Sequence, residues 1–216
     1  MNVSDIQPTL EQMIELKRNR AIDEKALRTL FLEARTANGF LDAPVSRDVL
    51  ERAVEIAELG PTSANSLPVR YVFVTSPEAK ERLKPCVGPT NLDKTMKAPA
   101  TAIVAADLKF YENFARTFPT RPQMADNFSG PDKTEAAKMF ARDNAILQMG
   151  YFILAARALG LDCGPMGGFD RVKTDAEFFP DGRLISLFLI NIGYLDDTKG
   201  FPRLPRLEPA EIAHFI

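Results

Sequence analysis

Residues 134–160, T-E-A-A-K-M-F-A-R-D-N-A-I-L-Q-M-G-Y-F-I-L-A-A-R-A-L-G, decide the fold. Ala141, Ala145, Ile146, Met149, Ile153 and Ala156 recur at helical spacing, and Phe140, Phe152 and Leu159 widen the stripe. A helix apolar over so much of its circumference is expected to be central and buried. Just beyond it, residues 164–170 (G-P-M-G-G-F-D) form a connection, and Asp170 can cap a helix running to about Phe178. Residues 184–192, L-I-S-L-F-L-I-N-I, then read as a buried strand.

Upstream of the central helix, residues 118–133 carry Pro119, Pro122, Gly130 and Pro131 and read as a long irregular segment. Residues 101–106 have strand length, 77–84 form a short helix, and 69–75 (V-R-Y-V-F-V-T) form another strand. Three helical patterns come first. Leu10, Met13, Ile14 and Lys17 share one face within residues 8–18. Asp23 can cap a second helix with Ala26, Leu27, Leu30, Phe31 and Ala34 inward, stopping at Asn38-Gly39. Ser46 can cap a third, with Val49, Leu50, Ala53, Val54 and Ala57 inward, stopping at Gly60-Pro61. Helices first, then strands and helices mixed, predict an α+β fold with a mixed sheet between helices. Residues 1–22 read as an arm or extra helix and 23–216 as one domain.

The chain has 216 residues, 45% of them hydrophobic, and a formal net charge of -2. This is enough chain for a sizeable core, and nothing in the charge points to nucleic acid or a membrane surface. Cys86 and Cys163 are the only cysteines and form no Cys-x-x-Cys. That usage, with no apolar targeting segment at the start, fits a reducing cytoplasm. The single histidine, His214, lies three residues from the end, which argues against His-based nucleophilic catalysis and a His zinc site; no metal is expected. There is no phosphate-binding G-x-x-x-x-G-K-[ST] and no G-x-G-x-x-G. A chain with so little side-chain chemistry is most economically read as using a reactive cofactor.

Four constellations remain. In 35–40, R-T-A-N-G-F, an Arg stands beside a hydroxyl and an amide and can hold a phosphate and polar ring atoms; an ordinary helix terminus is the plainer reading. In 60–68, G-P-T-S-A-N-S-L-P, small polar residues can line a flat ligand or simply turn the chain. In 164–170 the paired glycines Gly167 and Gly168 permit close approach of backbone to a planar ligand. In 199–206, K-G-F-P-R-L-P-R, three cations in eight residues can grip phosphate or form a solvated tail.

Together, in this order, these segments resemble the nitroreductase family from about Leu30 to Arg206. The wording R-T-A-N-G-F, G-P-T-S-A-N-S-x-P and G-L-D-x-G-P-M-x-G-F-D is closest to the branch containing the malonic semialdehyde reductase of uracil catabolism. The resemblance implies a mainly antiparallel sheet flanked by helices, in an intertwined homodimer with FMN at the subunit interface. It implies that Arg35, Thr36 and Asn38 contact the phosphate, ribityl chain and pyrimidine edge. Pro61, Thr62, Ser63 and Asn65 reach the FMN held mostly by the other subunit. Asn91 and Lys94 match a pair at the flavin's polar edge, with Lys94 opposing negative charge there, and Asn144 matches a polar residue facing the flavin. Pro165, Met166, Gly167 and Gly168 lie along the isoalloxazine, and Arg203 binds the phosphate. Three departures stand out. Phe201 occupies the place of a common Lys, for which Lys199 is the substitute. Gly167 occupies the place of a common Glu, and residues 1–20 have no counterpart.

The activity implied is hydride transfer from NADH or NADPH, through flavin N5, to a small acceptor. Malonic semialdehyde reduced to 3-hydroxypropanoate is one such acceptor, with Arg116 or Arg121 binding its carboxylate. Residues 110–133 fall where the family places a variable lid. A broad nitroaromatic or quinone reductase, and a non-catalytic FMN-binding protein, are the alternatives.

Overall fold

The computed structural model describes residues 9–216. It divides into a short N-terminal unit ending at Ala34 and a body, Arg35–Ile216. The start of the first expected helix, at Pro8, lies outside the described residues. In the N-terminal unit, α1 spans Leu10–Arg18 and α2 spans Glu24–Leu27. Asp23 caps α2 as expected, accepting from the Ala26 N–H at 2.7 Å. The helix does not reach Asn38. It widens into a π turn over Arg28–Leu32, closed by Glu33 N donating to Arg28 O at 2.9 Å, and ends there.

The body is built on strands β1 (Val69–Val74), β2 (Ala100–Asp107), β3 (Asp162–Met166) and β4 (Leu184–Gly193), in the order β1-β2-β4-β3. Every pairing between them is antiparallel, with Val72 opposite Ile103, Ile103 opposite Leu189, and Gly164 opposite Asn191. β2 and β4 are the inner strands, which explains their near-continuous apolar sequence. Alternate residues serve two cores. Ala102, Val104, Ile190 and Ile192 pack with Leu50, Ala53 and Phe152 on one face. Ile103, Ala105 and Leu189 pack with Val74, Leu83 and Met166 on the other.

Against the first face lie α3 (Arg47–Ala57), capped by Ser46, and the 25-residue α7 (Thr134–Ala158). The inward positions of α7 are small, with Ala137, Ala141, Ala145 and Ala156 all buried. The helix is therefore central, as its sequence predicts, yet Leu147 and Tyr151 leave an apolar stripe exposed. On the second face lie α4 (Pro77–Leu83), α5 (Pro89–Lys97) and α8 (Arg171–Phe178), the last capped by Asp170. α5 and β3 are absent from the sequence reading. β3, D-C-G-P-M, pairs only with β4, and as an edge strand it tolerates Pro165.

The segment between β2 and α7 contains α6 (Phe114–Thr117) and short 3₁₀ turns. It is anchored by aromatic packing: Phe110 lies 5.2 Å from Phe140, 5.0 Å from Phe128 and 5.9 Å from Phe114 between ring centroids. The C-terminal residues include a single turn, α9 (Pro209–Ile212), and their side chains are exposed.

Candidate functional site

Residues 35–41 run alongside the sheet as an irregular strip rather than as a helix end. Ala37 N donates to Cys163 O at 3.0 Å, Leu41 N donates to Tyr194 O at 2.8 Å, and Phe40 bridges Leu195. The close approach depends on Gly164, because a Cβ there would collide with the Ala37 carbonyl oxygen. Ala37 is buried, while Arg35, Thr36 and Asn38 retain solvent contact. Asn38 Oδ1 accepts from Lys94 Nζ at 3.1 Å, and Asn38 Nδ2 donates to Thr36 O at 3.2 Å.

Lys94 and Asn91 both come from α5, whose start is set by Gly88 and Pro89. Asn91 Nδ2 donates to Gly168 O at 3.1 Å, and Gly88 N donates to the same oxygen at 3.2 Å. This fixes the Gly168–Phe169 peptide. Met166 is buried and Pro165 half-buried, but Gly167 and Gly168 are exposed, leaving a strip of bare backbone. A Cβ on Gly168 would lie 2.8 Å from Asn91 Nδ2, so a side chain there would displace the Asn91 amide. The stem of Lys199 packs over Gly39, and its ammonium pairs with Asp196 at 2.9 Å. Arg203 is held below its ordinary pKa by desolvation and by the facing cations Arg35, Arg206 and Arg157. Positive charge is thus concentrated where Arg35 meets the C-terminal stretch. Arg157, on α7, is outside the sequence-derived set; nothing local marks it apart from a cation near a helix end.

A second group forms around α7. Ala64, Asn65 and Leu67 have positive φ values of 53°, 49° and 43°. Such conformations cost on the order of 1–3 kcal/mol each for residues other than Gly or Asn, and persist only when the surroundings impose them. Asn144 Oδ1 accepts from Ser63 N at 2.7 Å, Thr62 Oγ1 accepts from Leu67 N at 3.2 Å, and Asn65 Nδ2 donates to Thr117 O at 2.6 Å. Asn144 is buried and also donates to Phe140 O at 2.9 Å, so its amide is committed to holding this loop. Pro61, Ser63 and Asn65 project outward, with Thr62 half-buried.

Other chemistry is sparse. Among the described residues, no group of three or more His, Cys, Asp or Glu could hold a metal ion. Cys86 and Cys163 are free and buried, and burial pushes the Cys163 thiol up to about 12, which removes it as a nucleophile. No described helix is long and apolar enough to cross a membrane. What the first group can do is bind: bare backbone for a flat ligand, a cation beside a carboxamide, and an arginine cluster for an oxyanion.

The model of the nitroreductase family matches residues 32–194. A candidate NADH dehydrogenase/NAD(P)H nitroreductase of Burkholderia lata is 48% identical over 192 residues, covering 89% of this chain and 97% of that protein. A similarly named protein of Stenotrophomonas maltophilia is 49% identical over 195 residues, covering 90% and 98%. Among solved structures, a candidate nitroreductase of Exiguobacterium sibiricum in complex with FMN superposes with a TM-score of 0.76 at 23% identity, covering 91% and 98%. By the family model and by relatives of this identity and coverage, the chain belongs to the nitroreductase family.

Proposed function

We propose that the chain is an FMN-dependent NAD(P)H oxidoreductase that works as a homodimer. One observation carries the reading: Arg35–Asn38, the Lys94–Asn38 pair and the bare Gly167–Gly168 backbone are all tied to strand β3 or its continuation. These residues fit FMN. Arg203 has Arg35, Arg206 and Arg157 as its charged neighbours, a set that suits a phosphate dianion. The glycine pair leaves backbone N–H groups open to a ring system. The relatives named for NAD(P)H and the fold relative solved with FMN support the same assignment.

Bound FMN supplies two-electron transfer between nicotinamide and acceptor. Arg35, Arg203 and Lys199 would hold its phosphate. Thr36 and Asn38 would orient the ribityl chain and pyrimidine edge, and Lys94 would set a positive charge beside that edge. Asn91 holds the Gly168 carbonyl and so keeps the Pro165–Gly168 backbone in register. Pro61, Thr62, Ser63 and Asn65 serve the partner subunit's cofactor, with Asn144 bracing their loop. The exposed Leu147 and Tyr151 of α7, and Phe201, Leu204 and Leu207 of the tail, support burial against a second copy.

For the acceptor, we favour a small acid carrying an aldehyde, such as malonic semialdehyde reduced to 3-hydroxypropanoate. Arg116 lines a cavity of about 800 Å³ with Arg70, Asn113 and Thr117, whereas Arg121 lies outside it. Glu51, Glu55 and Glu58 form the α3 side of that cavity, so a carboxylate would sit on the Arg116 side. The deciding experiment is the visible spectrum of purified protein supplemented with FMN, followed by NADH and NADPH under anaerobic conditions. Flavin absorbance bleached quickly by either nucleotide is expected. Flavin that binds but resists both would leave a non-catalytic FMN-binding protein, and no uptake would remove the cofactor assignment. For the acceptor, an unchanged KM in Arg116→Ala would remove the carboxylate role.

A further inference from the structure

Lys80 lies on α4, the short helix P-E-A-K-E-R-L. Yet Lys80 is only 6% exposed, and its Nζ donates to Thr95 O at 2.7 Å and Thr101 Oγ1 at 2.8 Å. An ammonium has protons and no lone pair, so the Thr101 oxygen must accept. The single Thr101 proton then goes to Asn191 Oδ1, at 2.9 Å. That fixes which way the Asn191 amide points: Nδ2 faces Thr95 Oγ1 at 3.2 Å and Met166 Sδ at 3.8 Å. The Thr95 proton is left for Met166 Sδ, at 3.7 Å. Thr95, Thr101 and Asn191 are fully buried and Met166 is 5% exposed. The chain therefore has one direction, set at Lys80. It ends beside both halves of the first site group, since Thr95 follows Lys94 and Met166 precedes Gly167.

We propose that Lys80 is a positioning residue for the cofactor site, its ammonium dictating the direction of a buried hydrogen-bond chain that fixes Met166–Gly168 and the Lys94-bearing helix. This rests on the FMN reading above. The surrounding charges leave Lys80 without a carboxylate: Glu81 pairs with Lys84 at 3.0 Å and Asp93 with Lys97 at 2.7 Å, Lys94 turns to Asn38, and Glu78 is exposed at the start of α4. From β2 and β4 only Thr101 and Asn191 enter the chain. Burial accordingly lowers Lys80 to about 8. Above that pH the neutral amine can accept as well as donate, and the direction of the chain is no longer imposed.

The test is FMN affinity, read by flavin fluorescence, and the bound-flavin spectrum from about pH 6.5 to 9.5, bracketing the titration. Wild type, Lys80→Met, Thr101→Val and the double variant are compared. Wild type is expected to lose affinity through a midpoint near 8. Each single variant should be pH-independent and roughly 3–10-fold weaker at pH 7, with the double no weaker than either single. Unchanged single variants, or effects that multiply in the double, would overturn the proposal. Should a variant fail to fold, wild type decides: affinity and spectrum flat across pH 7–9 also overturn it. FMN bound tightly with the variants unmoved removes only the role of Lys80, whereas no FMN uptake by wild type removes the cofactor reading and this inference together.

Discussion

Gly164→Ala joins the fold to the site in one methyl group. Gly164 is buried in β3 opposite Asn191, and its side-chain direction is filled by the carbonyl oxygen of Ala37. Both partners are backbone, so no rotamer change can absorb the new atom. Either β3 separates from β4, or residues 35–38 lift away and the Ala37 N to Cys163 O bond, now 3.0 Å, is lost. Overpacking costs about 1–3 kcal/mol, and a lost backbone hydrogen bond about 1 more. At roughly 2–4 °C per kcal/mol for a chain of this size, Tm should fall by roughly 5–15 °C. Arg35 and Asn38 ride on the displaced segment, so FMN Kd should rise about tenfold or more, equivalent to at least ~1.4 kcal/mol. Thermal unfolding without FMN and a fluorescence titration with FMN read the two effects separately. An unchanged Tm would refute the seating of residues 35–38 on Gly164. A lower Tm with unchanged FMN affinity would leave that packing intact but refute the role of the segment in binding.

Asn144→Leu removes the acceptor of the Ser63 N–H and should cost about 1–3 kcal/mol in urea unfolding. It should also weaken FMN binding through the loop that carries Thr62 and Asn65, while the Lys94–Asn38 pair stays in place. Lys94→Met should weaken FMN about tenfold, the value of roughly one charge-assisted hydrogen bond, and leave Tm almost unchanged because Lys94 is half-exposed. The Cys163 thiol gives a pH test: its folded pKa is raised from 9.0 to about 12, so the unfolded chain ionises first. The associated stability is complete below pH 9 and is lost as pH rises from 9 towards 12. Urea unfolding at about pH 8 and pH 10 should show a steeper loss in wild type than in Cys163→Ala, and parallel losses would contradict the burial of the thiol.

The elements legible in the sequence are those whose burial is written as a period. α3, α7 and α8 carry a cap, an apolar face or both, and β1, β2 and β4 are largely apolar runs of strand length. β3 has no such signature, because D-C-G-P-M is a strand only through its pairing with β4. α5 is similarly quiet, since only Thr95 of its nine residues is fully buried. The helix expected to reach Asn38 ends at Leu32, in a π turn that departs from the 3.6-residue spacing. At the site, Gly, Pro, Ser and Asn clusters mark the participating stretches, but not the links between them. Lys94 to Asn38 spans 56 positions and Asn91 to Gly168 spans 77, and no local pattern encodes such pairs. Lys80 is hidden for a different reason: a lysine on a polar seven-residue helix reads as solvated, and only the fold buries it. Local rules fail at left-handed Ala64 and Leu67 and at a buried ammonium, and each of these braces a part of the candidate site. Departures from local propensity of this kind are expected at functional positions, and the α+β core around them supplies the stability that holds them in place.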